Sequence, residues 1–114
     1  MKQADKAAGL LGLARRAGKL TMGADATEGA FNRGAICALV LAGDLAPRSA
    51  GRLKALARAK SVPCYSFGSK AEFGRRFGRQ EVGILGVLDR SFAAALARHL
   101  EPQSPALRRE SDSL

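Results

Sequence analysis

Residues 36–42 read ICALVLA, seven apolar or small residues between the turn at Gly34 and Gly43. The run is too short for a typical helix. A strand covered on both faces reads as an unbroken apolar stretch rather than as an alternation. Residues 82–88, VGILGVL, show the same pattern. Strands buried on both faces need helices above and below, so the intervening segments decide the fold.

Downstream of ICALVLA, Gly43-Asp44-Leu45-Ala46 reads as a turn and Pro47 as a first helical residue. That helix runs to about Lys60, with Leu53, Leu56 and Ala57 inward and Arg48, Arg52, Lys54, Arg58 and Lys60 mostly outward. Val62 to Phe67 is the third main strand. Ser69-Lys70-Ala71-Glu72 is a capping box, in which hydroxyl and carboxylate each satisfy an orphan backbone N–H. The helix behind it pairs Phe73 with Phe77 and ends near Gly78. After residues 82–88, Asp89 caps a last helix with Phe92, Leu96 and Leu100 as its stripe. Upstream, Ala7, Leu10, Leu11 and Ala14 form one face of a helix from Asp5 to Ala17, stopped by Gly18. Lys19 to Met22 is a short strand, and a second helix spans Asp25 to Arg33. Strands alternating with helices predict an α/β fold: a three-layer α/β/α sandwich around a roughly four-stranded sheet, largely parallel or mixed. Ligands of such sheets meet loops at strand ends and helix N-termini. Here those loops are Thr21–Asp25, Gly43–Pro47 and Gly78–Glu81.

The chain has 114 residues, 46% of them hydrophobic, and a formal charge of 19 − 10 = +9. The apolar content excludes a disordered chain, and no apolar run nears the ~20 residues that span a bilayer. Two Cys form no disulfide framework and one His no His-rich metal site. Residues 1–100 carry 17 − 7 = +10 and read as one domain. Residues 101–114 hold two Pro and three Ser at 2 − 3 = −1, the composition of a flexible tail. The polar residues 1–6 and the Arg15-Arg16 pair behind the first apolar stretch are the reverse of a signal peptide. A cytoplasmic protein with reduced Cys37 and Cys64 is the expectation. Thirteen of the 19 basic residues are Arg, whose guanidinium fork suits phosphate, so the charge points to a polyanion. The clusters are Arg15, Arg16 and Lys19; Arg48 and Arg52; and Arg75, Arg76 and Arg79.

Chemistry-bearing motifs are scarce. GLARRAGK (residues 12–19) has five residues between its glycines and no Ser or Thr after the Lys, so it is no phosphate loop. His99 has no nucleophile or carboxylate beside it in sequence, and the cysteines fall in core-like strands without metal spacing. No catalytic residue, cofactor or metal is expected. Phe73 and Phe77 read as core, which disfavours recognition by stacked single-stranded bases.

The order LLGLARRAGKLTMGADAT, then ALVLAGDLAP, then VPCYSFGSKAEFGRRFGRQEVGILGVLD resembles the L-seven-Ae family of kink-turn RNA-binding ribosomal proteins, in particular its small bacterial YlxQ-like branch. The resemblance covers roughly Ala8 to Leu100. It implies the same sandwich and RNA binding without catalysis. In that family a Gly-Ala-Asn-Glu-x-x-Lys-like turn opens the second helix and grips sheared G·A pairs. Gly23 and Ala24 match, whereas Asp25, Ala26 and Gly29 stand where the family has Asn or Lys, Glu or Gln, and Lys. The resemblance thus implies RNA contacts at Gly23, Ala24 and Asp25, flanked by Asp44 and Leu45 on one side and Gln80, Glu81 and Val82 on the other. Lys19, Arg33 and Arg48 would meet phosphate. Three to five such contacts predict a slope of roughly −2 to −3.5 in log K against log salt for single-stranded segments. The expected partner is structured RNA, ribosomal or kink-turn-like, with ribosome or translation proteins as further partners, no membrane, and a monomeric chain. A second reading, a protein–protein adaptor in the translation or transcription machinery, follows from the lost base-reading residues.

Overall fold

The computed structural model describes residues 2–102, with side chains from Asp5 onward. Most of the tail expected over 101–114 therefore lies outside the described residues. The elements run α1 (Lys2–Arg16), β1 (Leu20–Met22), α2 (Ala24–Asn32), β2 (Ala38–Leu41), α3 (Pro47–Ala59), β3 (Cys64–Ser66), α4 (Lys70–Phe77), β4 (Ile84–Val87) and α5 (Arg90–Ala97).

ICALVLA becomes β2, all four of its residues buried. Its neighbours extend the pairing without counting as strand: the Cys37 N–H donates to the Val87 carbonyl at 2.7 Å and the Ala42 N–H to that of Gly83 at 2.9 Å. The pleat splits the strand between two cores. Ala38, Val40 and Ala42 face Ala7 and Leu11 of α1, Phe73 and Phe77 of α4 and Leu96 of α5. Leu39 and Leu41 face Ala30 and Phe31 of α2 and Ala50, Leu53 and Ala57 of α3. The layers are therefore α1, α4 and α5, then the sheet, then α2 and α3, which is the expected α/β/α sandwich.

Strand order is β1-β4-β2-β3. Only β2 and β3 run parallel; β4 is antiparallel to both β1 and β2. The sheet is thus mixed, not largely parallel. Helix α3 carries the chain back to start β3 alongside β2, whereas the chain returns from α4 into β4 at the end where β3 left off. Consequently the C-terminal ends of β1, β2 and β3 and the N-terminal end of β4 share one end of the sheet. The last helix ends at Ala97, short of Leu100, but Leu100 still packs on the first core through a terminal turn, its N–H 3.0 Å from the Leu96 carbonyl. The caps form as their residue types dictate: Ser69 accepts from the Glu72 N–H at 3.1 Å and Asp89 from that of Phe92 at 3.1 Å.

Candidate functional site

Three loops far apart in sequence meet at that shared end. The first is the turn into α2. Gly23 has φ 94° and ψ 165°, a region that residues with a Cβ enter only under strain. Its N–H donates to the Ile84 carbonyl at 2.8 Å, tying the turn to β4. No side chain caps α2, so its first N–H groups, on the exposed Ala24, Asp25 and Ala26, point outward at the positive end of the helix dipole. The hydroxyls of Thr21 and Thr27 lie 2.8 Å apart and pin α2 to β1. Thr27 is fully buried.

The second loop follows β2. The Gly43 N–H donates to the Gly68 carbonyl at 2.9 Å. The Asp44 carboxylate accepts the N–H of Lys70, the first residue of α4, at 2.9 Å. Asp44 thus holds the loop against a helix N-terminus, a favourable place for a carboxylate. Leu45, half-buried, packs on the second core and reaches residue 83, where a Cβ would lie 2.8 Å from its Cδ1.

The third loop precedes β4. Gly78, at φ 73°, ends α4 in the left-handed conformation, and the chain doubles back along the helix. The Arg79 N–H donates to the Gly74 carbonyl at 2.8 Å and the Val82 N–H to that of Lys70 at 3.1 Å. Any side chain at Gly74 would collide with the backbone carbonyls of Arg79 and Gln80.

The expected site residues divide accordingly. Gly23, Ala24, Asp25, Asp44, Leu45, Arg48, Gln80 and Glu81 come together. Val82 arrives with its loop, but its side chain is 4% exposed and belongs to the first core, which leaves it no side chain to offer a ligand. Lys19 and Arg33 lie elsewhere. Lys19 precedes β1 and accepts from the Leu88 N–H at 2.9 Å, at the opposite end of the sheet. Arg33 caps the C-terminus of the nine-residue α2, about 15 Å along the axis from Gly23. Sequence reasoning missed Lys70. Its stem runs past Gly83, with a Cβ there 3.4 Å from its Cγ, and its ammonium sits 4.0 Å from Glu81. Only the capping-box position marked it, and that was read as a helix start.

The cluster is electrostatically mixed. Arg52 pairs with Glu28 between α3 and α2, and Lys70 with Glu81. Asp25 and Asp44 add two further carboxylates. Among the described residues, Arg48 and, at the edge of the third loop, Arg79 are the cations of the cluster outside an ion pair. No group of three His, Cys, Asp or Glu side chains among them is placed to hold a metal ion, and none of their helices is long and apolar enough to cross a membrane. Cys64 and Tyr65 of β3 lie in the core, and burial pushes both above their usual ranges, with Lys54 partly opposing the shift at Cys64.

The sequence and the sandwich both match a known protein family. The model of the ribosomal protein L7Ae/L30e/S12e/Gadd45 family matches residues 5–97, and the chain belongs to that family. It is 31% identical over 88 residues to the RNA-binding protein YlxQ of Enterococcus faecium, an alignment covering 77% of this chain and 84% of that one. A solved protein of unknown function from Bacillus halodurans superposes with a TM-score of 0.77 at 29% identity, covering 82% of this chain and 94% of the other. The 15.5kD RNA binding protein of Giardia lamblia superposes with a TM-score of 0.74 at 19% identity, covering 84% and 85%, a likeness of fold.

Proposed function

We propose that the chain binds structured RNA without catalysing a reaction, through the loop cluster around the α2 N-terminus. One observation carries this reading: outward-pointing, uncapped N–H groups at Ala24 to Ala26, framed by Asp44-Leu45 and Gln80-Glu81, in a chain whose family and similar protein YlxQ carry ribosomal and RNA-binding names. Backbone N–H groups at a helix N-terminus suit phosphate and base acceptors. The half-buried Leu45 offers an apolar edge to an unstacked base.

Kink-turn preference is narrower here than the family resemblance implies. With Asp25, Ala26 and Gly29 in the helix, two base-reading side chains and one cation are absent, and backbone contact at Gly23 and Ala24 remains. Structured RNA with splayed bases, ribosomal RNA included, is therefore the ligand class. A cytoplasmic monomer suits the reduced thiols of Cys37 and Cys64. In fluorescence anisotropy at fixed salt, a kink-turn RNA and an internal-loop RNA bind more tightly than a perfect duplex of equal length. Equal affinity for all three overturns specific recognition. Partners that survive RNase treatment in a pull-down would favour the adaptor role instead.

A further inference from the structure

The loop cluster is poor in free positive charge, yet residues 1–100 carry +10. Much of that charge sits on the other helical layer. Helices α1 and α4 lie side by side, and their contacts advance in the same direction along both. Asp5 and Ala8 share a groove with Glu72 and Phe73; farther along, Arg76 lies against Gly12, its Nη1 3.9 Å from where a Cβ would stand. Farther still, the Arg15 guanidinium stacks 5.8 Å from the centre of the Phe77 ring. Two clusters separate in sequence thereby become one face: Arg15 and Arg16 from the last turn of α1, Arg75 and Arg76 from that of α4. All four are exposed, as are Lys19 and Arg79 at its margins. The groove's carboxylates, Asp5 and Glu72, border it together with Arg75 and Arg76, Glu72 one helical turn from both arginines. No carboxylate of the described residues forms an ion pair with any of the six cations.

We propose that this arginine face, at the joined C-terminal ends of α1 and α4, is a second RNA-backbone surface that supplies most of the electrostatic affinity, while the loop cluster orients the RNA. The inference rests on RNA binding as read above. Helix α4 links the surfaces: Lys70 begins it at the loop cluster, and Arg75 and Arg76 follow about 8–9 Å along its axis. The doubled-back segment 79–81 bridges them. An RNA crossing this edge neutralises phosphates at the arginine face whatever its sequence, because backbone contacts carry charge and no base information.

The test measures affinity of the full chain for a perfect RNA duplex and a kink-turn RNA between 50 and 200 mM salt. The quadruple variant Arg15→Gln/Arg16→Gln/Arg75→Gln/Arg76→Gln is expected to flatten the log K against log salt slope by roughly 3 for both RNAs. That equals about a 60-fold smaller loss of affinity over the salt range. Arg48→Gln changes the slope by about 1 or less. Because Arg15 stacks on Phe77, circular dichroism checks folding. If the quadruple variant unfolds, Arg16→Gln/Arg75→Gln/Arg79→Gln, which removes no core contact, decides with an expected flattening of roughly 2 to 3. An unchanged slope and affinity in a folded variant overturn the second surface while leaving RNA binding intact. Failure of the unsubstituted chain to bind either RNA overturns both.

Discussion

Gly86 stands where β4 passes beneath α2, and a Cβ there would meet the Thr21 hydroxyl, lie 2.6 Å from Ile36 Cδ1 and 3.1 Å from Thr27 Cγ2. All three neighbours are held, Thr21 and Thr27 by their shared hydrogen bond and Ile36 by the second core. Gly86→Ala is therefore expected to cost about 1–3 kcal/mol through overpacking, seen as a lower urea midpoint at unchanged slope. No pattern in VGILGVL announces that cost, because the neighbour that forbids a side chain is 65 residues away. Cys64 yields a pH prediction. Its thiol and the Tyr65 phenol have raised pKa values in the folded state because burial disfavours their ionised forms. The unfolded chain then releases protons at lower pH than the folded one, so stability is full below the ordinary thiol range and falls as pH rises. Urea midpoints should drop between about pH 8 and 10, with Cys64→Val removing the thiol's share of the fall.

Helices and strands were legible one by one because each obeys a local rule. The stripe of α1, Pro47 at the start of α3, the capping box of α4 and the Asp89 cap of α5 involve neighbours within four residues. A mixed sheet was legible, but which strands run antiparallel was not, since pairing of β4 between β1 and β2 is a choice among distant partners. The site follows the same division. Its loops were found from their positions after strands and before helices. The distribution of cations was not, because Lys19 and Arg33 sit near the right turn in sequence and are carried away by a strand and a helix. Asp44 shows how the loops are tied. Asp44→Ala removes the acceptor for the Lys70 N–H and is expected to cost roughly 1 kcal/mol, as for a lost helix cap, with Asp44→Asn recovering much of it. Arg52→Gln breaks the pair with Glu28, but the arginine side chain is 75% exposed. Its expected effect on the urea midpoint is within measurement error.

At the scale of the whole molecule, two surfaces around the sheet separate. One end gathers the turn at Gly23, the Asp44-Leu45 loop and Gln80-Glu81 around outward-pointing N–H groups, in a mixed field of paired charges. The α1–α4 layer gathers arginines that form no ion pair among the described residues, beside the groove carboxylates Asp5 and Glu72. Net charge alone located neither, and the tertiary fold separates them by about 8–9 Å along α4. On the proposed account, a preference for folded RNA over duplex belongs to the first surface and salt dependence to the second.

The most direct test of RNA binding at the loop cluster is an NMR titration of the isotopically labelled chain with a kink-turn or internal-loop RNA. The amides of Gly23, Ala24, Asp25, Leu45 and Gln80 should shift together and saturate at one equivalent, with Arg33 and its α2 C-terminal neighbours unmoved. Saturable binding that leaves those five amides unshifted would contradict the account.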